Sequence, residues 1–454
     1  MNEGRVCVLC TSRYNCHFIF RPMRINSIIF AAAFFCFCGF ASVSAADSLF
    51  CSPCDAVCSS SSHTPVSIFD GINRNMSKSR ISFYGWLQTG ISVNEYGQKN
   101  RYDSPLVSPT HRQLSAYSAN SHLLMMEQQS DLKVNQLWFG VQRQIDNRRE
   151  FDWGFVSDLI YGTDPRVTQC FGDKTFDYDW GQGDYYLAFT NLYGEIKHKN
   201  LTIRVGKFNS ETSYEPIAAP PTFFYTRARA FFNSVPISGV RAAYKVSDRL
   251  TVLGSWTTGE LTSFQNRFDD NGFLFQVRFS PTKSTALNYG FFVERCNGLN
   301  KQADAPNYGR FYRTQDTVSH HLVYIWDINS RWRYVMEGFA NSNSMHLMLG
   351  EDSGHANGFN LNLFYKFNKY WSVGTRYEFF KACKTLYDLP HLTGGSGTEI
   401  NTVSFAVNWQ PTFRLNFRAE VRHDWTDYNN GYKPFDGCTE SNQLMFGTAM
   451  TVKF

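Results

Sequence analysis

Hydrophobic and polar residues alternate one by one along most of the chain beyond residue 80. In the clearest run, Phe413, Leu415, Phe417, Ala419 and Val421 are interleaved with Arg414, Asn416, Arg418, Glu420 and Arg422. Phe359, Leu361, Leu363, Tyr365 and Phe367 alternate in the same way with Asn360, Asn362 and Lys366. The last segment puts Leu444, Phe446, Met450, Val452 and Phe454 on one face and Gln443, Gly447, Thr451 and Lys453 on the other. Met445, Thr448 and Ala449 are out of step. A helix turns every ~3.6 residues and cannot separate such sets, whereas successive side chains of a strand point to opposite faces.

Sixteen strands are predicted on this pattern. The first eight lie near 81–93, 133–145, 151–162, 184–198, 200–208, 236–246, 249–259 and 271–280. The others lie near 284–294, 317–327, 331–340, 356–367, 371–380, 399–409, 413–424 and 441–454. The connections between them alternate long and short. Long ones run 94–132, 163–183, 209–235, 260–270, 295–316, 341–355, 381–398 and 425–440. Short ones include Asp146–Glu150, Ser247-Asp248, Pro281-Thr-Lys283, Asn368-Lys-Tyr370 and Gln410-Pro-Thr412. An even strand number with short turns on one rim and long loops on the other is the pattern of bacterial outer-membrane barrels. The expected fold is therefore a transmembrane antiparallel up-and-down β-barrel over 81–454, with long extracellular loops and short periplasmic turns.

Composition agrees with that reading. Aromatic residues make up 17% of the 454, with 41 Phe and 24 Tyr, yet mean hydropathy is only −0.35. Lipid-facing and lumen-facing residues that alternate give such a mixture, although a large secreted β-sandwich or propeller gives it too. The net charge of +5 is modest and forms no basic patch, so nucleic acid is not an expected partner.

The N-terminal region reads as an export leader. Arg21 and Arg24 precede an apolar run from Ile28 to Phe40, and small residues follow at Ala41-Ser-Val-Ser-Ala45-Ala46. Charged flank, short apolar run and small residues before the cut describe a secretory signal peptide over 1–46, cleaved after Ala45 or Ala46, with Met23 as an alternative start. The run is too short for a spanning helix, and no later apolar stretch reaches the length of about 18 residues that one needs. Residues 47–80, with Cys51, Cys54, Cys58 and the serines Ser59–Ser62, read as a flexible tether. The chain closes on Phe454 with hydrophobic residues two and four places before it. That arrangement resembles the C-terminal signal by which the outer-membrane assembly machinery recognises barrels.

Several segments together carry a family resemblance. They are Phe83-Tyr-Gly-Trp86, Asn135-Gln-Leu-Trp138, Asp152-Trp-Gly-Phe155, Asp158-Leu-Ile-Tyr-Gly-Thr-Asp164 and Arg204-Val-Gly-Lys-Phe208. The most specific is Tyr214-Glu-Pro-Ile-Ala-Ala-Pro-Pro-Thr-Phe-Phe-Tyr-Thr-Arg227, followed by Pro236 and Ser238-Gly239. They resemble the OmpL-like β-barrel porin family, most sharply over 81–259. The chain departs from the family pattern at Thr226-Arg227-Ala228, where Ser-Arg-Ser is expected, and in the pair Pro220-Pro221. The resemblance implies an outer-membrane channel and names no solute.

A barrel of sixteen strands leaves an aqueous channel. A charge facing lipid at mid-depth costs about 2–4 kcal/mol, so charged strand residues are expected to face inward. The pore-lining candidates are Arg204, Arg241, Lys245, Arg278, Arg376, Arg414, Arg418 and Arg422 against Asp152, Asp158, Glu294, Glu378 and Glu420. Their excess of arginine predicts a mild preference for anions. The opposing reading is that arginines and acids pair across neighbouring strands and leave little net field. The connection 209–235 carries Phe223-Phe-Tyr225, Phe231-Phe232 and charges at Glu211, Glu215, Arg227 and Arg229. So many aromatics need cover. Packing on the inner wall covers them and leaves Glu215, Arg227 and Arg229 to narrow the pore. The alternative is an outer loop packed on its neighbours.

Seven cysteines follow the leader. Cys170, Cys296, Cys383 and Cys438 fall in long connections, where loop-bracing disulfides are expected, with unpaired thiols as the alternative. The spacing of Cys51, Cys54 and Cys58, with His63 nearby, suits disulfides better than a metal. No cofactor is expected. No Gly-x-Ser-x-Gly elbow, His-Glu-x-x-His or phosphate-cradling glycine loop is present. His320-His321 at a strand start reads as a pair of polar rim or lumen residues rather than a catalytic base. The expected function is a porin for passive diffusion of small hydrophilic solutes, seated in outer-membrane lipid. A homotrimer is an option of the architecture. The rivals are a barrel enzyme or adhesin, and a secreted β-rich glycan-binding protein.

Overall fold

The computed structural model describes residues 68–96, 130–169, 176–177, 180–230, 236–260, 264, 271–295, 315–345, 354–383, 398–426, 435 and 440–454. In chain order the strands are β1 (Ile81–Asn94), β2 (Lys133–Arg143), β3 (Phe151–Gly162), β4 (Gly181–Gln182), β5 (Tyr185–His198) and β6 (Leu201–Asn209). Then come β7 (Pro236–Ser247), β8 (Leu250–Glu260), β9 (Asn271–Thr282), β10 (Thr285–Arg295), β11 (Gln315–Asp327) and β12 (Trp332–Met345). The last are β13 (Gly354–Lys366), β14 (Trp371–Cys383), β15 (Thr398–Thr412), β16 (Leu415–Trp425) and β17 (Asn442–Lys453). β4 is a two-residue lip on the start of β5. The other sixteen form one antiparallel sheet, each strand paired with the next in sequence, and β17 returns to pair with β1. The sheet is a closed sixteen-stranded barrel.

Burial along strands such as β16 and β3 is inverted relative to a water-soluble protein. In β16, Arg418, Glu420, Arg422 and Asp424 are buried while Ala419, Val421 and His423 are exposed. In β3, Asp152 and Asp158 are buried while Phe151, Trp153 and Tyr161 are exposed. Lipid is the solvent of the outer face, so apolar groups turn outward and polar groups inward.

Turn chemistry places the aromatic girdle. Between β11 and β12 the Asn329 side chain accepts from the backbone N–H of Arg331 (2.9 Å) and Trp332 (3.0 Å). Between β13 and β14, Asn368 does the same for Tyr370 (2.8 Å) and Trp371 (3.0 Å). Each asparagine closes a tight turn and delivers an exposed Trp to the rim, where its amphipathic ring suits the lipid–water boundary.

Residues 68–80, expected as the end of a flexible tether, are instead ordered against the barrel seam. A short helix α1 (Asp70–Met76) packs there, and Phe69 lies against Phe83 and Phe454, with ring centroids 6.1 and 5.8 Å away. β17 pairs with β1 only from Trp86 onward. At Phe83 the Asn73 amide takes the place of a strand partner, accepting from its N–H (2.7 Å) and donating to its carbonyl (2.9 Å). Phe454 itself exchanges both backbone hydrogen bonds with Gly85. Asn73→Ala is expected to lower barrel stability by about 1–3 kcal/mol, the cost of orphaning part-buried backbone groups. Urea titration of vesicle-inserted protein checks this, and an unchanged midpoint would count against the latch.

Candidate functional site in the barrel interior

The connection between β6 and β7 determines what the interior contains. Its described part, 210–230, bonds to polar residues on strands all around the barrel. Gln136 of β2 accepts from the Ala219 N–H (3.0 Å) and donates to the Ile217 carbonyl (2.8 Å). Asn288 of β10 donates to the Glu211 carbonyl (3.0 Å), and Glu337 of β12 accepts from the Tyr214 N–H (2.9 Å). Asn408 of β15 donates to the Phe223 carbonyl (3.0 Å), and Arg418 of β16 donates to the Ala219 carbonyl (2.7 Å). A segment that meets the polar faces of strands on every side of a closed barrel lies inside it. These wall residues also satisfy backbone groups that an irregular segment cannot pair for itself.

Apolar contacts match. Four of the five apolar clusters among the described residues contain residues of this segment. Ile217, Ala218 and Ala219 meet Trp86 and Trp138. Phe224 fills a patch made by Ala286, Val323, Ile325, Val335, Phe364 and Ala406. Tyr225 packs on Met445 and Ala449, and lies close over Gly447, where an added Cβ would come within 2.7 Å of its ring. Met445 and Ala449 break the alternation of β17 because the surface they face is this tyrosine rather than water.

Charges join the segment to the wall of β14 to β16. Arg376 pairs with Glu215 (2.9 Å) and Glu378 (2.9 Å), and Arg422 with Glu378 (2.8 Å) and Asp424 (2.9 Å). Arg229 pairs with Asp424 (2.9 Å) and donates to Thr402 (2.6 Å). Glu420 accepts from the Thr226 N–H (2.8 Å) and hydroxyl (2.7 Å). Arg227 donates to the Ile217 carbonyl (2.8 Å). Burial pushes the Glu215 carboxyl above its ordinary range, against the pull of Arg376 and Arg227.

A second cluster surrounds Glu211. Its carboxylate meets Arg204 (3.1 Å), Arg241 (3.3 Å) and Arg278, from β6, β7 and β9. Arg204 also pairs with Glu195 (3.1 Å) and lies 4.0 Å over the Tyr193 ring. Burial opposes ionisation of Glu211, but Arg241, Arg278 and Arg204 outweigh it and hold the carboxyl well below its ordinary value of 4.5. Ionised Glu211 therefore contributes to docking at all pH values above 4.5, and the contribution is lost only as pH falls below that toward the depressed value. Protease protection of 210–230 is expected to differ between the wild type and Glu211→Gln by a constant amount above pH 4.5, and the difference to close only below it.

The sequence-derived candidates divide three ways. Arg376, Arg418, Arg422, Glu378 and Glu420 lie on the inner wall, yet each is at most 3% exposed, so they face the segment and not open water. Glu215, Arg227 and Arg229 are buried in the same contacts. Asp158 is buried too, accepting from Tyr84 (2.5 Å), Asn191 (2.8 Å) and Trp138 (3.2 Å). Arg204 and Arg278 stay partly exposed inside. Lys245 and Arg414 are corrections. Lys245 pairs with Asp248 (2.8 Å) at the β7–β8 turn, and Arg414 sits in the β15–β16 turn, 3.9 Å from Asp70. Both belong to the short-turn rim, Lys245 two residues before the end of β7 and Arg414 just before β16 begins. Asp152 is also near that rim, bound by Arg80 (2.7 Å) and Arg143 (3.1 Å). Asp424 and Glu337 were missed, although each continues the inward register of its strand. Cys170, Cys296 and Cys438 lie outside the described residues, as does the side chain of Cys383.

The architecture has counterparts among solved structures. An anion-selective porin from Comamonas acidovorans superposes with TM-score 0.52 at 8% identity, over 82% of this chain and 99% of that one. The trimer form of OmpT, an outer membrane protein of Vibrio cholerae, gives 0.50 at 11% identity over 82% and 99%. The outer membrane channel DcaP of Acinetobacter baumannii gives 0.50 at 9% identity over 82% and 97%. At such identities the likeness is one of fold. A comparison with curated proteins finds no match. The model of the family described as "Putative beta-barrel porin-2, OmpL-like" matches residues 80–454. The chain is thus an outer-membrane β-barrel that belongs to the OmpL-like porin family.

Proposed function

We propose that the protein is a passive channel for small hydrophilic solutes, mildly anion-preferring, whose path is narrowed by the connection 209–235. The observation that supports the constriction most strongly is the network that ties Glu215, Thr226 and Arg229 to Arg376, Glu378, Glu420 and Asp424 across the interior. Water and solutes pass only where this segment leaves room. Selectivity rests on fewer residues than the arginine count suggests. Arg376 and Arg422 are matched by Glu215, Glu378 and Asp424 and contribute little net field. The anion preference comes instead from the partly exposed Arg204 and Arg278 with Arg241 behind them.

Export by the leader over 1–46, recognition of Phe454 by the assembly machinery and association as a homotrimer belong to the same proposal. The test is the reversal potential of the refolded chain lacking 1–46, in a planar bilayer under a potassium chloride gradient. The expected sign shows chloride passing more readily than potassium, with the preference reduced in Arg204→Gln/Arg278→Gln. Cation preference, or a double variant identical to the wild type, would overturn the selectivity reading.

A further inference from the structure

Arg204, Arg241 and Arg278 form a receptor for a carboxylate that the chain fills with its own side chain. All three reach the carboxylate of Glu211 from strands of the wall. Arg241 is held independently of Glu211, by the Ser255 hydroxyl (3.2 Å), the carbonyls of Asn209 (3.3 Å) and Ser210 (3.1 Å), and the Phe208 ring 4.5 Å away. Arg204 is likewise held by Glu195 and the Tyr193 ring. Two of the three guanidiniums thus keep their places when Glu211 leaves, which is the preorganisation a binding site needs.

The occupant's side chain is more exposed to the interior than those of its hosts. Glu211 has a backbone φ of 58°, in the left-handed region that favours glycine. Its backbone is pinned there by Gln276 and Asn288, which both donate to its carbonyl. Its side chain is 34% exposed, and those of Arg204 and Arg278 are 19% and 24% exposed, so the cluster opens to the interior solvent. Three arginines against Glu211 and Glu195 leave one positive charge in excess among the described residues.

We propose that this cluster is a binding subsite for carboxylate-bearing solutes, in which Glu211 is an exchangeable internal occupant that the solute's carboxylate displaces or joins. Arginine forks match the planar, two-oxygen geometry of a carboxylate, and the bound Glu211 shows that one fits between them. The proposal rests on the channel reading only for how the solute arrives. Glu211 keeps the site weak, as a transit site must be if solutes are to leave it.

The test is equilibrium dialysis of radiolabelled succinate against the detergent-solubilised barrel, with heat-modifiable gel migration as the check of folding. Glu211→Gln removes the competing charge and keeps the shape, and is expected to bind succinate about tenfold more tightly than the wild type, a charge-assisted hydrogen bond's worth. Arg278→Gln in the Glu211→Gln background is expected to abolish the gain. A folded Glu211→Gln barrel that binds no better than the wild type, or a gain that survives Arg278→Gln, would overturn the subsite. Conductance of the same samples separates the two claims. A barrel that binds but does not conduct contradicts the channel, and one that conducts without binding contradicts the subsite.

Discussion

Arg422→Met is expected to destabilise the barrel by about 3–5 kcal/mol, because it strands buried acids without their cation. Arg422 is fully buried, and its guanidinium meets Glu378 at 2.8 Å and Asp424 at 2.9 Å while also donating to Thr226 and Thr402. Methionine keeps most of the volume, so packing loss is a small part of the effect. The acids left behind have other cations, Arg376 and Arg229, but those are already shared with Glu215 and Asp424. Removing an acid as well, in Arg422→Met/Glu378→Gln, should recover part of the loss, since a buried pair replaced as a unit costs far less than a broken one. Urea titrations in lipid vesicles measure both. A single variant within about 0.5 kcal/mol of the wild type, the range of an ordinary surface change, would mean the network is not held as described.

Phe224→Ala is expected to act differently despite a comparable cost of about 3–5 kcal/mol. The Phe224 ring is 1% exposed, seated among side chains from five strands, with the Arg376 guanidinium 4.4 Å away. The segment it belongs to is anchored at both ends in β6 and β7, and the barrel wall is paired without it. Most of the loss therefore appears as local undocking and not as unfolding of the wall. Cleavage by added protease within 213–229 should rise sharply while the barrel keeps its heat-modifiable migration. If protection of the segment is unchanged, Phe224 does not hold it in place.

Much of the fold was legible in the sequence because a membrane barrel writes its two solvents into alternate positions. Phe417, Ala419 and Val421 against Arg418, Glu420 and Arg422 suffice to orient β16. The regular change of loop length then orders the strands. What alternation cannot tell is whether an inward residue meets water or protein. Arg376 and Arg204 both read as inward arginines, yet the first is covered and the second is partly open. The clue lay in the misfits. Phe364, Val335, Met445 and Ala449 are apolar residues at inward positions, and each is explained by an aromatic of the connection 209–235 resting on it. Asn73 was out of reach for another reason, since a side chain standing in for a strand partner leaves no periodic trace.

The central claim is that this segment, and not the barrel wall alone, sets the conducting path. Single-channel conductance of the refolded chain lacking 1–46 tests it most directly, compared with the same chain in which residues 213–229 are replaced by a short glycine–serine linker, the paired wall charges being kept. We expect stepwise openings from both, several-fold larger without the segment. Equal conductance from two folded barrels, or no conductance from either, would contradict the account.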